Sequence, residues 1–170
     1  RDLTNHFQHH NKISLTDIDT GLANRKQLEI SFTSMIDHCK TRGGGVGLCL
    51  IRVNTEEGQN LEDSSVISNI RKGTLRTISN SLKLVLRPMD QIVRYDDCTF
   101  AIALVYADQK TFNTDMFKRS TNSILKHTNQ FTDQGKKLRL SISIWYSDQF
   151  DPLPDISKIL HAAEENFKSI

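Results

Sequence analysis

Asp17-Ile18-Asp19-Thr20-Gly21-Leu22-Ala23-Asn24-Arg25 is the stretch on which the reading of this chain turns. It is rich in turn formers. Gly21 can take the positive φ that other residues resist, and Asn24 stands where its side chain can cap the free amides that open a helix. A helix is therefore expected from about Arg25 to Lys40. There Leu28, Phe32, Met35, Ile36 and Cys39 recur at helical spacing and make one buried face. Gly43-Gly44-Gly45 breaks that helix, and the continuous apolar run Val46 to Val53 reads as a central strand.

Further along, Ile67, Ile70, Leu75, Ile78, Leu82 and Val85 fall near helical period, giving a long amphipathic helix over Leu61 to Leu86 that Pro88 ends. Two β-prone runs, Gln91 to Tyr95 and Thr99 to Tyr106, flank a tight turn and form a hairpin. An amphipathic helix follows near Asp108 to Phe131, with Phe112, Met116, Ile124 and Leu125 as its apolar contacts. After a turn at Gly135-Lys136-Lys137, Leu138 to Tyr146 alternates like a half-buried strand, and Ile156 to Phe167 closes the chain as a helix. This order predicts an α+β fold of the ferredoxin-like palm kind, a central antiparallel sheet flanked by helices. Before it, Arg1 to Ser14 carries only a thin apolar stripe and reads as a linker or signalling helix, the domain itself running over 15–170. His6, His9 and His10 of that segment read as solvated, since no carboxylate or cysteine cluster accompanies them as metal ligands.

With 170 residues, 37% hydrophobic and 25% charged, the chain suits one ordinary globular domain. Its 22 basic and 20 acidic residues are scattered, so no nucleic-acid partner is expected. Cys39, Cys49 and Cys98 form no CxxC pair and no disulfide framework, which points to a reducing, cytoplasmic setting. No apolar run is long enough for a membrane helix. Because the chain begins on Arg1 and a polar segment, the expectation is a piece of a larger multidomain protein, including the cytoplasmic part of an inner-membrane protein.

Four local matches in this order resemble the GGDEF family, whose active members join two GTP molecules into cyclic di-GMP. Asp17 to Arg25 is similar to the family's opening DxLTGLxNR, with Asp19 where Leu is usual. Arg94-Tyr95-Asp96-Asp97-Cys98-Thr99-Phe100 stands at the RYGGDEF hairpin, Leu140 to Ile144 looks like the late strand, and Ala162 to Lys168 resembles the closing helix. The resemblance implies a nucleotidyl-cyclase palm-like fold.

It also implies a lost active site. The family holds divalent metal with an Asp from the first strand and an acidic pair from the hairpin, as a hard cation requires. The matching positions here are Arg52, Cys98 and Thr99, and the two hairpin glycines that approach phosphate are Asp96 and Asp97. Glu57 falls roughly where the family carries a Lys. Nothing near Cys98 in sequence supports a lowered thiol pKa. The expectation is a degenerate domain that is no diguanylate cyclase, with no catalytic residues, metal or cofactor.

Many members bind cyclic di-GMP at an RxxD motif ahead of the hairpin, and Arg87-Pro88-Met89-Asp90 fits its position, with Lys118 or Arg119 as a further basic contact. A guanidinium grips phosphate or a guanine edge bidentately, and a carboxylate accepts from guanine N–H groups. Arg87 and Asp90 are equally readable as the cap of a helix end, where a cation meets the carbonyl dipole. Two functions follow: a cyclic di-GMP sensor working through Arg87 and Asp90, or an interaction module that binds no nucleotide. The second would hold a homodimer or an attached EAL-type phosphodiesterase domain.

Overall fold

A computed structural model describes residues 15–55, 70–106, 114–128, 131–133, 135–147 and 152–169. The linker at 1–14 with its histidines, Glu57, and the expected starts of the helices at Leu61 and Asp108 lie outside these residues.

The apolar run of the sequence becomes β2 (Gly45–Thr55), the middle of the sheet. On one side it pairs antiparallel with β4 (Thr99–Tyr106), and on the other with β6 (Lys136–Tyr146). β4 folds back on β3 (Gln91–Asp96) as the expected hairpin. Three two-residue strands that no sequence pattern signals complete the sheet. β1 (Ala23–Asn24) runs parallel to β3, while β5 (Thr132–Asp133) and β7 (Lys168–Ser169) add to β6. The central four strands are antiparallel, and β1 makes the sheet mixed.

Strict alternation along β2 sorts the core into two layers. Leu48 and Leu50 face α1 (Arg25–Arg42) and α4 (Ile156–Glu165), meeting Leu28, Phe32, Ile36, Ile159 and Leu160. Cys49, Ile51 and Val53 face α2 (Lys72–Val85) and α3 (Thr114–Thr128), meeting Leu75, Ile78, Leu82 and Ile124. β4 is buried along its whole length, as a strand covered on both faces must be. Each such large side chain contributes about 2 kcal/mol by leaving water.

The opening turn forms as its residues dictate. Gly21 sits at φ 73°, and its N–H donates to the Asp17 carbonyl at 2.9 Å. Asp17 Oδ2 accepts from both the N–H of Thr20 (3.0 Å) and its hydroxyl (2.5 Å). Asn24 caps α1, its Oδ1 accepting from the Gln27 N–H at 3.1 Å. Asn24→Ala should cost about 1 kcal/mol, read as a fall of about 2–4 °C in a thermal melt. At the far end Gly43, at φ 85°, donates to the Cys39 carbonyl and stops α1 two residues beyond the expected Lys40. α4 stops two residues short of the expected Phe167, because Asn166 and Phe167 leave the helix to lead into β7.

Candidate functional site

The hairpin tip is built by its own aspartate. Asp96 Oδ1 accepts from the Cys98 N–H at 3.0 Å, the local hydrogen bond that suits Asp to turns. The Cys98 carbonyl in turn accepts from Val53 N–H at 2.8 Å, which ties the tip to β2. In this register Arg52 lies directly opposite Thr99 on one side and Ser141 on the other. Arg52, Cys98 and Thr99 are thus brought together as a guanidinium, a thiol and a hydroxyl.

Two contacts define that corner. The Arg52 guanidinium lies 3.9 Å from the centre of the Phe167 ring and has no acceptor among the described residues. The Cys98 thiol is buried, 3.5 Å from Asp96 Oδ1 and 3.8 Å from Thr99 Oγ1. Burial first, and then the Asp96 charge, pushes the thiol up to about 11, so it stays protonated at neutral pH.

Arg94 holds the other side of the hairpin. Its Nε donates to the Asp96 carbonyl (3.0 Å) and its Nη2 to the Asp97 carbonyl (2.7 Å). Its Nη1 reaches Asp17 Oδ2 and Asp19 Oδ2, both at 3.2 Å. Asp19 also meets Lys72 Nζ at 3.3 Å, and its carbonyl accepts from Arg76 Nη2 at 3.0 Å. The Lys72 hydrogen bond, then Arg94, holds the Asp19 carboxyl below its ordinary value. Between the opening turn and the tip lies an open cleft of about 270 Å³, whose lining includes Asp17, Asp19, Arg94, Asp96 and Asp97. Arg25 and Lys26 line it too, so four carboxylates face three cations, and both arginines are already engaged, Arg94 by Asp17 and Asp19 and Arg25 by Glu29 and Glu164.

Tyr95, which lines the same cleft, joins three elements. Its hydroxyl donates to Glu164 Oε1 at the end of α4, while Arg25 lies 4.4 Å over its ring and 3.3 Å from Glu164. Burial, then the Glu164 carboxylate, raises the phenol above its ordinary value.

The second candidate pair, Arg87 and Asp90, is also brought together, and it closes on itself. Arg87 Nε and Nη2 donate to Asp90 Oδ2 (3.1 Å) and Oδ1 (2.7 Å), and the Arg87 N–H adds a third bond at 2.9 Å. Nη2 also donates to the Val105 carbonyl, and the guanidinium stacks 4.0 Å from the Tyr106 ring, whose hydroxyl bonds Ser120 of α3. The Asp90 side chain is 3% exposed and that of Arg87 37%. Arg87 Nη1 faces no acceptor among the described residues. Lys118 and Arg119 are exposed on α3, and Lys118 lies 3.9 Å from Asp115. No ion pair among the described residues joins either to Asp90.

Sequence reasoning named Arg52, Cys98 and Thr99 as one corner and Arg87 with Asp90 as another. It missed the partnerships of Arg94 with Asp17 and Asp19, of Arg52 with Phe167, and of Tyr95 with Glu164, all of which span distant parts of the chain. The one available signal was that both acids of the opening turn stand in a motif whose remaining residues serve the turn.

No protein-family model matches the sequence, and no curated protein matches it. Solved structures do. The FimX GGDEF domain from Pseudomonas aeruginosa superposes with a TM-score of 0.69 at 17% identity, covering 90% of this chain and 91% of that one. The GGDEF domain of DgcB from Caulobacter crescentus, solved in complex with c-di-GMP, gives 0.67 at 15% identity, with 89% and 86% covered. The GGDEF domain of YfiN from Pseudomonas aeruginosa gives 0.63 at 17% identity, with 88% and 84% covered. The palm-like α+β architecture, the hairpin at its centre and these superpositions agree: the chain has the fold of a GGDEF domain.

Proposed function

We propose that this domain is a catalytically silent signalling module built on the GGDEF fold. The observation that carries the proposal is Arg52. It places a fixed positive charge, stacked on Phe167, at the strand end where the resemblance puts a metal-binding carboxylate. The donors beside it are a protonated thiol and a hydroxyl, whereas Mg²⁺ takes hard, charged oxygens. The residues at this corner do not fit the metal. Incubation with GTP and Mg²⁺ or Mn²⁺, followed by chromatography, should yield no cyclic di-GMP. Arg52→Asp alone should not restore turnover, because Cys98 and Thr99 still supply no carboxylate. Measurable product from the unaltered chain would overturn the reading.

A second layer concerns what the module answers to. Arg87 supports a cyclic di-GMP contact, because its Nη1 has no acceptor among the described residues while Asp90 fixes the plane of the guanidinium. In this reading Arg87 takes a phosphate oxygen or a guanine edge, and Asp90 orients it rather than touching guanine. Calorimetry should show heat that Arg87→Lys, which keeps the charge but loses the planar fork, weakens at least about tenfold. Absence of heat at high micromolar protein would leave contact with other domains, or with a second copy, as the mode of action.

A further inference from the structure

Along the sequence the charges are scattered, but the fold sorts them. From Arg71 to Arg87 the chain carries Arg71, Lys72, Arg76, Lys83 and Arg87 and no acidic residue. α3, which packs beside α2 on the same face of the sheet, adds exposed Lys118, Arg119 and Lys126 against Asp115 alone. The opposite layer is balanced instead: α1, α4 and its cap carry Arg25, Lys26, Lys40, Arg42 and Lys158 against Glu29, Asp37, Asp155, Glu164 and Glu165.

Part of the basic charge is used internally. Lys72 and Arg76 engage Asp19, Arg87 engages Asp90, and Lys118 lies near Asp115. Arg71, Lys83, Arg119 and Lys126 have no acidic partner among the described residues. At the C-terminal end of α2 two apolar side chains project beside Lys83 and Arg87: Leu84 is 81% exposed and Met89 52% exposed.

We infer that the outer face of α2 and α3 docks on an anionic lipid surface, with Leu84 and Met89 entering the headgroup boundary. Several exposed basic side chains spread over two adjacent helices match a diffuse negative sheet, which needs no fixed fork geometry. Two protruding apolar side chains are too few for the packed apolar centre of a stable protein interface. They are, however, what a lipid boundary accepts. Nucleic acid fits less well, since α2 offers no aromatic platform and apolar side chains gain nothing against phosphates.

Cosedimentation of the full chain with vesicles tests this. Mixed phosphatidylcholine–phosphatidylglycerol vesicles should pellet the protein at low salt, pure phosphatidylcholine vesicles should not, and added salt should release it. Each basic residue near such a surface is worth about fivefold in affinity. Lys83→Glu with Lys126→Glu should therefore weaken binding at least about twentyfold, at unchanged circular dichroism. Leu84→Ser with Met89→Ser should weaken it too and leave the salt dependence intact. Failure to bind anionic vesicles, or binding indifferent to both double variants, overturns the inference. Equal competition by duplex DNA, with the apolar double variant without effect, would overturn it in favour of a general polyanion site.

Discussion

Arg94→Ala is expected to lower the stability of this domain by about 2–4 kcal/mol, the cost of removing the shared donor of a partly buried charge cluster. The Arg94 side chain is only 10% exposed, and its loss strands Asp17, 18% exposed, opposite Asp19 without the cation between them. The carbonyls of Asp96 and Asp97 lose their donors as well. For a domain of this length, thermal melts should show a fall of roughly 4–12 °C. The pH dependence has a definite sign. Asp19 has its folded pKa depressed, so its ionised form contributes stability above its ordinary value, a contribution lost as pH falls through the depressed one. In Arg94→Ala the main remaining cause of that depression is Lys72, and protonation of Asp19 in acid removes from the wild type the attraction that the variant already lacks. The gap between wild type and variant should narrow in acid. A gap that is constant from neutral to acidic pH would show that Arg94 acts through packing alone.

The second large effect is at the self-closed pair. Arg87→Ala should cost about 3 kcal/mol, because it strips two charged donors from a carboxylate that is 3% exposed in the intact pair and leaves it, among the described residues, only the backbone N–H of position 87. Replacing both partners by alanine removes the stranded charge, so Arg87→Ala with Asp90→Ala should be less destabilised than Arg87→Ala alone by about 1 kcal/mol or more. Denaturant melts of the four members of this cycle decide it. Strictly additive losses would mean that the pair contributes no coupling. The same result bears on ligand binding, since a variant that loosens the α2 terminus loses binding for an uninformative reason. That is why Arg87→Lys is the better probe of cyclic di-GMP contact.

Much of the scaffold is legible locally. Gly21, Asn24 and the glycines after Arg42 act through their own backbone or a partner three or four residues away, so the ends of α1 can be read directly. The continuous apolar run of Val46 to Val53 and the alternation of Leu138 to Tyr146 likewise report their burial without knowledge of the rest. The short strands β1, β5 and β7 carry no such pattern, because two residues cannot show a period and their pairing is set by the strand beside them. Charge is illegible for the same reason. Arg94 lies 77 positions from Asp17, and nothing in the sequence says that the fold will bring them within 3.2 Å. The spacing of Arg87 and Asp90 points to their proximity, but how the guanidinium is held depends on Val105, whose carbonyl accepts from it, and on Tyr106, on which it stacks.

The grip of Arg94 has a mechanical consequence. It fastens the opening turn to both carbonyls of the hairpin tip, and the tip is fastened to β2 through the Cys98 carbonyl. The turn therefore cannot swivel without carrying the hairpin along. A torque applied where the chain enters the domain would arrive at the corner of Arg52 as rotation of a stiff lever, with little absorbed on the way.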